Sequence, residues 1–509
     1  MDINSDPNNP TTPSLPLLLP ATQISMAGGL DDLNSGTSVL VQQLFSGNIS
    51  RNYQDGSTYQ GSWNALYTQA LADLEVIIRE GTAQQQWGYV AIAKLQKAYI
   101  YSIMVDMWGD VPYLEASQGE ANVNAAFDHG ADVYESLFAL IDEALADINT
   151  GTYASPGTAD IIYSGKQELW IRFGNTLKLK LYNQIRLVDE PRATQAISDL
   201  LSSGALLIAD NAQDFSFRFG SSPTPENQHP WYNSEYQGGK SYYMSQGFMD
   251  MLFKSDDPRI RYYFYRQLSN ASVNNGRTGN GYGGRYTGDA TANPNDNATK
   301  ATVGIYPAGG LYDDNPINNL TAEHEFISNA GANTDFLVRV VSVNVGTGAG
   351  ILPFLTNAMA KFIQAEAALT LGTPGDATLL LGEAVKAHLH SVNTVVSTGG
   401  NSAALMSEAT IDAFVQQLVD EFEAADESGK LNLLLTQKYI AQYGNGIESY
   451  NDYRRTGLPQ LPEPLAPLNT FPLRLTYSQT ELATNTAVSG DAGTLQTSQQ
   501  ITPVFWDVK

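Results

Sequence analysis

The chain has 509 residues, long enough for two to four domains or for one large repeat-built body. Its 28 basic and 53 acidic residues give a formal net charge of −25 without any run of lysines and arginines, which argues against a nucleic-acid partner. Cysteine is absent, so disulfides, thiolate metal sites and cysteine nucleophiles are excluded. No apolar run approaches the ~20 residues that a membrane-spanning helix needs.

The first 20 residues are dominated by asparagine, leucine and proline. Proline fixes φ and lacks an amide proton, so closely repeated prolines disfavour a helix. We therefore predict an extended arm over 1–20, on the basis of Pro7, Pro10, Pro13, Pro16 and Pro20.

Helical patterns dominate residues 21–204. Apolar residues recur at spacings of three and four in four stripes, which begin at Trp63, Ile92, Val133 and Trp170. The second stripe ends at Trp108, where Gly109 favours a left-handed helix terminus and Pro112 forces the chain to continue extended. A helical body with pairwise helix packing is expected here.

The periodicity fails between residues 205 and 350, where glycine, asparagine, serine and tyrosine prevail. Only one short helix is predicted there, between Tyr242 and Phe253. Helical stripes return over 351–458, and the tail, 459–509, is again irregular. A long irregular stretch within a compact protein usually carries function, so we expect ligand binding in 205–350.

The fold class predicted from these patterns is mainly α, with a large irregular loop-rich region. Bulky and small residues alternate along the stripes, which is typical of tetratricopeptide-like helix pairs that approach closely at alanines. The strict repeat consensus is absent, so the pairing of helices carries this prediction.

Several motifs occur in a particular order. They are Trp-Gly-Asp-Val-Pro-Tyr at 108–113, Ile-Ile-Tyr-Ser-Gly-Lys at 161–166 followed by the helix of 170–186, Ala-Lys-Phe-Ile-Gln-Ala-Glu-Ala-Ala at 360–368, Asp-Tyr-Arg-Arg-Thr-Gly at 452–457, and the segments 474–477 and 504–507. In sequence and spacing, over essentially the whole chain, they resemble the SusD/RagB family of outer-membrane nutrient-binding lipoproteins.

The resemblance implies one SusD-like domain over 1–509, a right-handed helical body of tetratricopeptide-like pairs, and a ligand site in the loop-rich region. It also implies a surface-exposed lipoprotein of the cell outer membrane that acts as a lid on a SusC-like TonB-dependent transporter. The lipidated cysteine and signal peptide are not in this sequence, so the anchor is implied and not seen. Family members capture oligosaccharides, or in some cases peptides, and perform no chemistry.

Sugar capture needs flat aromatic faces for the ring C–H groups and polar groups for the hydroxyls. The polar loop before Trp63 has this composition, and in the family it commonly helps to form the ligand pocket. An ordinary solvated loop is an equally good interpretation of any one residue. The candidates in this loop are Arg51, Asn52, Tyr53, Asp55 and Tyr59.

The tyrosine-rich middle provides the second set of candidates. Glycine leaves the backbone open, so tyrosines beside it are often presented to solvent. The alternative is that these tyrosines fix long loops on the helices, which we expect for about half of them. The candidates are Trp231, Tyr232, Tyr236, Tyr282 and Tyr286, with Trp231 and Tyr282 preferred.

The sequence contains no pattern for chemistry or for transition-metal binding. His388 and His390 face different sides of a helix, and there is no nucleophile elbow or phosphate loop. Acid pairs such as Asp256-Asp257 and Asp313-Asp314 are interpreted as solvated, although they leave a structural calcium ion open. We expect no catalytic residue, metal or cofactor.

Oligopeptide capture is the close alternative to glycan capture, and a glycoside hydrolase or a protein-binding scaffold is more remote.

Overall fold

The computed structural model describes residues 14–45, 55–237, 243–266, 282–289, 300–314, 324–327, 337–340, 346–465, 471–488 and 501–509, with the backbone alone for 120, 324–327 and 337–340. The predicted mainly α class is confirmed. The helices are α1 (Leu15–Leu40), α2 (Gln60–Asn64), α3 (Ala72–Ala83), α4 (Trp87–Trp108), α5 (Gly130–Ile148), α6 (Gln167–Gln184), α7 (Glu190–Ser202), α8 (Pro230–Tyr232), α9 (Gln246–Lys254), α10 (Ile260–Tyr263), α11 (Asn357–Leu371), α12 (Ala377–Thr398), α13 (Glu408–Ala424), α14 (Glu427–Ala441), α15 (Gly446–Thr456) and α16 (Gln479–Thr484).

Two further helical turns are π-helical. The first, Ala65–Leu71, joins α2 to α3, and the second, Asn233–Gln237, continues α8. A π turn is rare and inserts an extra residue into the helical ladder, often at a functional site. Both of these turns carry tyrosines.

The strands form short antiparallel pairs: β1 (Leu44–Phe45) with β5 (Tyr243–Met244), β2 (Val111–Pro112) with β3 (Phe127–Asp128), β4 (Phe215–Arg218) with β10 (Ile351–Leu355), β6 (Phe264–Tyr265) with β7 (Thr302–Val303), and β8 (His324–Ile327) with β9 (Leu337–Val340). The β4–β10 pair has a register shift between Pro353 and Leu355. Apart from β2–β3, each ribbon includes at least one strand from the loop-rich middle, and among the described residues every sheet has two strands.

The chain forms two compact units. The first comprises residues 1–33, 54–208 and 472–509, and the second comprises 34–53 and 209–471. In the first unit, neighbouring helices pack in succession from α3 to α7, and in the second α11, α12, α13 and α14 pack on one another. This succession of helix pairs agrees with the tetratricopeptide-like prediction. The division into arm, body, loop region and tail as one domain stays a prediction.

The predicted extended arm is wrong for residues 15–20, which begin α1. Pro16 lies in the first turn, where the amide proton has no intrahelical acceptor, so proline costs little there. Pro20 lies farther inside the helix and removes one ladder hydrogen bond, yet the helix continues because its face is buried, with Leu19 and Met26 fully covered. Residues 1–13 lie outside the described part of the chain. The predicted irregular tail also contains one short helix, α16.

Helix α4 ends at Trp108, which confirms the predicted stop, but Gly109 does not take the left-handed helical conformation predicted for it. Gly109 has φ +85° and ψ −109°, which a residue with a side chain adopts only under strain. Asp110 accepts a hydrogen bond from the amide of Gly130 at 2.9 Å, at the start of α5. The indole of Trp108 is completely buried and donates to the carbonyl of Thr476 at 2.9 Å. The motif therefore connects two helices and the C-terminal segment of the first unit.

Motif residues in the second unit form a buried ion-pair network. Arg455 donates to Glu366 at 2.6 Å and to Asp452 at 2.6 Å, and Lys438 lies 3.3 Å from Glu366. Glu366 and Arg455 are fully buried, so these charges are stabilised by one another and not by water. Asp452 and Arg455 thus join α15 to α11 and α14. Among the described helices, none combines the length and apolarity needed to cross a membrane.

Candidate functional site

The segment that carries Trp231, Tyr232 and Tyr236 is built around a short helix. His229 precedes α8, and its Nδ1 accepts the amide hydrogen bond of Trp231 at 3.0 Å, while Pro230 occupies the first helical position, which suits proline. Burial lowers the pKa of His229 to about 3, so the ring is neutral and able to accept. The helix continues through the π turn Asn233–Gln237.

Trp231 is directed into the core of the second unit. Only 3% of the residue is exposed, and the indole donates to the hydroxyl of Ser35 at 2.9 Å. Its ring meets Tyr443 edge-on at 5.7 Å between centroids. Trp231 was one of the two preferred ligand contacts. Its burial against Ser35 and Tyr443 gives that prediction no support.

Tyr232 and Tyr236 form a stacked pair on the other side of this segment. Their ring centroids are 4.9 Å apart with an interplanar angle of 21°. The Tyr232 hydroxyl donates to the carbonyl of Gly346 at 2.8 Å, and the Tyr236 hydroxyl donates to the carbonyl of Val303 at 2.6 Å. Both residues are half-buried. These hydrogen bonds fix the rings, so the pair is preorganised.

Glycines allow the backbone to approach this pair closely. A Cβ added to Gly346 would lie 3.0 Å from the Tyr232 ring, and one added to Gly348 would lie 2.8 Å from it. A Cβ at Gly310 would lie 2.8 Å from the ring of Tyr236. The sequence pattern of tyrosines among glycines is therefore explained here by tight packing as well as by presentation.

Amide groups surround the tyrosine pair. Gln237 donates to Gln228 at 2.7 Å, and Gln228 donates to the carbonyl of Thr347 at 2.7 Å. Asn233 donates to Glu226. We call Tyr232, Tyr236, Gln228, Asn233 and Gln237 the tyrosine platform. A half-buried aromatic pair edged by amides offers an apolar surface together with donors and acceptors for hydroxyl groups.

The other predicted pair, Tyr282 and Tyr286, is divided in the same way. Tyr282 is fully buried, its hydroxyl donates to Asp313 at 2.7 Å, and the guanidinium of Arg266 lies 4.8 Å from its ring centroid. Tyr286 is half-buried and donates to Asp250. The preference for Tyr282 as a ligand contact is thus unsupported, while Tyr286 remains a candidate.

The predicted loop before Trp63 is described only from Asp55 onward, and belongs to the first unit there. Asp55 is exposed and accepts hydrogen bonds from the amide of Ser57 at 2.8 Å and from its hydroxyl, which lowers the pKa of Asp55. Asp55 thereby forms a local turn ahead of α2, whose N-cap position is occupied by Tyr59. Tyr59 is buried, with 3% of the residue exposed. The candidates Arg51, Asn52 and Tyr53 lie outside the described residues.

In the acid pairs Asp256-Asp257 and Asp313-Asp314, one carboxylate of each pair forms a buried ion pair with an arginine, whereas solvated carboxylates were expected. Asp257 is buried and receives three hydrogen bonds from the guanidinium of Arg259, and Asp313 binds Arg266 at 2.5 Å. That expectation is wrong for these two carboxylates, because arginines that lie nearby in the fold compensate their charge. Within the described ranges, no group of three or more His, Asp or Glu residues is arranged to hold a metal ion.

Comparison with known protein families shows which family this chain belongs to. A family model described as SusD-like, starch-binding and associating with the outer membrane matches residues 7–478. The chain belongs to this SusD-like family. No curated protein sequence matches it at a significant level.

Solved structures agree on the fold. A SusD/RagB family protein from Bacteroides thetaiotaomicron has a TM-score of 0.75 and 18% identity, over 97% of this chain and 99% of the other. A chitin-binding protein has a TM-score of 0.74 and 21% identity, over 97% and 100%. A chitin-binding SusD homologue from Flavobacterium johnsoniae has a TM-score of 0.70 and 20% identity, over 96% and 99%. At these identities the similarity establishes the helical, tetratricopeptide-like fold of this SusD-like protein.

Proposed function

We propose that this SusD-like protein captures oligosaccharides at the cell surface without chemical conversion and passes them to a SusC-like TonB-dependent transporter. Membership of a starch-binding family that associates with the outer membrane carries the proposal. The tyrosine platform supplies suitable chemistry, because its stacked rings and amides match the apolar faces and hydroxyls of a sugar. An N-terminal lipid anchor outside this sequence would hold the protein at the membrane.

Two structures similar to this chain are described as chitin-binding, so chitooligosaccharides are the first ligands to test beside maltooligosaccharides. Calorimetric titration of the purified chain with maltohexaose, N-acetylated chitohexaose and a mixed oligopeptide library addresses the ligand class. We expect heat of binding with at least one glycan. Silence toward all glycans together with clear peptide binding would replace glycan capture by oligopeptide capture.

The absence of chemistry is tested with the same glycans. Prolonged incubation followed by measurement of new reducing ends should give no increase over a heat-denatured sample. A steady release of reducing ends would show a glycoside hydrolase instead. Co-purification with the TonB-dependent transporter from outer membranes tests the partner, and its failure at several salt concentrations would contradict the delivery step.

A further inference from the structure

The first compact unit contains an open cavity of about 520 Å³ that is remote in sequence from the tyrosine platform. Its walls come from the π turn Ala65–Leu71, helix α3, the loop 112–125 and the segment around α16. A volume of this size lies within the range of small-ligand pockets. The family motifs do not include these walls, apart from Pro112.

The cavity has an aromatic wall. Tyr67 lies in the π turn, and its ring packs on Trp63 with centroids 4.8 Å apart on the core side. Its hydroxyl donates to the carbonyl of Pro112 at 2.7 Å, which fixes the ring. Burial, followed by the neighbouring Tyr101, raises the pKa of Tyr67 well above its usual value, so the hydroxyl stays protonated and keeps donating. Val76 and Ala116 add apolar surface.

The rest of the lining is polar and nearly neutral. Gln118 and Asn122 supply amides, and the two charged residues among those lining the cavity, Arg79 and Glu481, have opposite sign. Arg79 is exposed, with 67% of its side chain accessible, and its Nε donates to Glu80 at 3.1 Å, which leaves the terminal N–H groups of the guanidinium to face a ligand. This balance favours an uncharged ligand with many hydroxyls over an anion or a cation.

Hydrogen bonds hold the wall around α16 in place. Asn485 donates to the carbonyl of Ala125 at 2.8 Å, and the amide of Thr486 donates to Asn124 at 2.8 Å. Asn485 also donates to Glu481 at 2.7 Å, which orients that carboxylate. The cavity is therefore preformed, and a ligand would not have to order this wall.

We propose that this cavity is a second carbohydrate-binding site, which takes the end of a neutral oligosaccharide. The π turn presents the aromatic face at Tyr67, as the second π turn does at Tyr236. The site belongs to the first unit and does not depend on the tyrosine platform. It would let one protein molecule hold two glycan chain ends.

The test fills the cavity without disturbing the core. Thr68 is exposed in the π turn and lines the cavity, whereas Gln69 is exposed in the same turn and does not. Thr68→Trp should block the site, and Gln69→Trp is the matched control. Calorimetry with maltohexaose and N-acetylated chitohexaose measures stoichiometry and affinity for the full chain, its Tyr232→Ala variant and the two tryptophan variants, with circular dichroism to verify folding.

We expect two sites for a bound glycan in the unaltered chain, with one weakened by about tenfold or more in Thr68→Trp and both retained in Gln69→Trp. Binding that is lost in Thr68→Trp but retained in Tyr232→Ala would support the cavity and contradict the platform. Binding unaffected by Thr68→Trp overturns the cavity proposal, whatever the outcome at Tyr232. Titration of the same variants with the oligopeptide library checks the ligand class: peptide binding that Thr68→Trp blocks, with glycan binding unaffected, would assign the cavity to peptides and overturn the carbohydrate proposal.

Discussion

The helix that ends at Trp108 and the short helical segment that carries Tyr232 use their aromatic residues differently. Trp108 is completely buried and hydrogen bonded to the backbone of Thr476, within a motif that turns the chain. Tyr232 is half-buried, stacked on Tyr236 and edged by amides. The two motifs described above, at 108–113 and 452–457, serve the scaffold, whereas the candidate binding surface, the tyrosine platform, lies in a segment without regular periodicity.

The largest expected effect tests whether the motif residues are architectural. Glu366→Ala removes one of the two carboxylates that face Arg455 and Lys438, so that Asp452 alone remains and one buried positive charge is uncompensated. This should lower the free energy of unfolding by about 3–5 kcal/mol. Urea unfolding followed by tryptophan fluorescence measures it. Glu408→Ala removes a carboxylate from an exposed pair with His390 and should change stability by about 1 kcal/mol or less. Equal effects of the two substitutions would contradict the architectural assignment.

Gly109→Ala tests the turn that ends the motif helix. Gly109 has a positive φ, and a Cβ added to it would overlap the guanidinium of Arg474, so a methyl group fits only with strain. We expect a loss of about 1–3 kcal/mol in the free energy of unfolding, with glycan affinity unchanged. A stable variant with impaired binding would give the turn a role in recognition and would blur the contrast with the platform.

His229→Asn tests the base of the platform through its pH dependence. The folded pKa of His229, about 3, lies below its ordinary value of 6.5, so folding favours the neutral ring. The unfolded chain begins to bind a proton at His229 below pH 6.5, whereas the folded protein does not bind one until the pH approaches 3. The free energy of unfolding therefore falls as the pH drops through this range, by about 2 kcal/mol at pH 5. Asparagine keeps an acceptor for the amide of Trp231 but does not titrate.

The measurement is the difference in unfolding free energy between His229→Asn and the unaltered chain at pH 7 and pH 5. From pH 7 to pH 5 the unaltered chain should lose about 2 kcal/mol of unfolding free energy more than the variant loses. A constant difference would show that folding does not lower the pKa of His229, so that at pH 5 the folded protein carries a protonated ring and the amide of Trp231 is capped in another way.

Much of the scaffold could be predicted because its signals are local or periodic. The stripes that begin at Trp63, Ile92, Val133 and Trp170 correspond to helices, and Gly109 ends α4 as its sequence context predicts. The predicted arm is wrong over 15–20 because the sequence shows only the local helix-breaking effect of proline. At Pro20 the burial of α1 against the rest of the protein outweighs that effect, and the helix continues.

The site was harder to predict because burial depends on the whole fold. Adjacent residues Trp231 and Tyr232 have the same local composition around them, yet one enters the core and the other borders the platform. Tyr282 is buried by a partnership with Asp313, which is 31 residues away and has no sequence signal. Tyr67 and the cavity beside it were missed, because a π turn has no reliable local pattern and the walls come from distant segments.

The central claim is that the tyrosine platform binds glycan through its ring faces. Titration of Tyr232→Ala with the glycan that binds best tests it most directly, with Tyr182→Ala as the control. Tyr182 is also half-buried and stacked, on Phe138 at 4.3 Å, but it lies in the first unit. We predict that Tyr232→Ala weakens the platform site by about tenfold or more and that Tyr182→Ala leaves it unchanged. Unchanged affinity in a folded Tyr232→Ala variant would contradict the account.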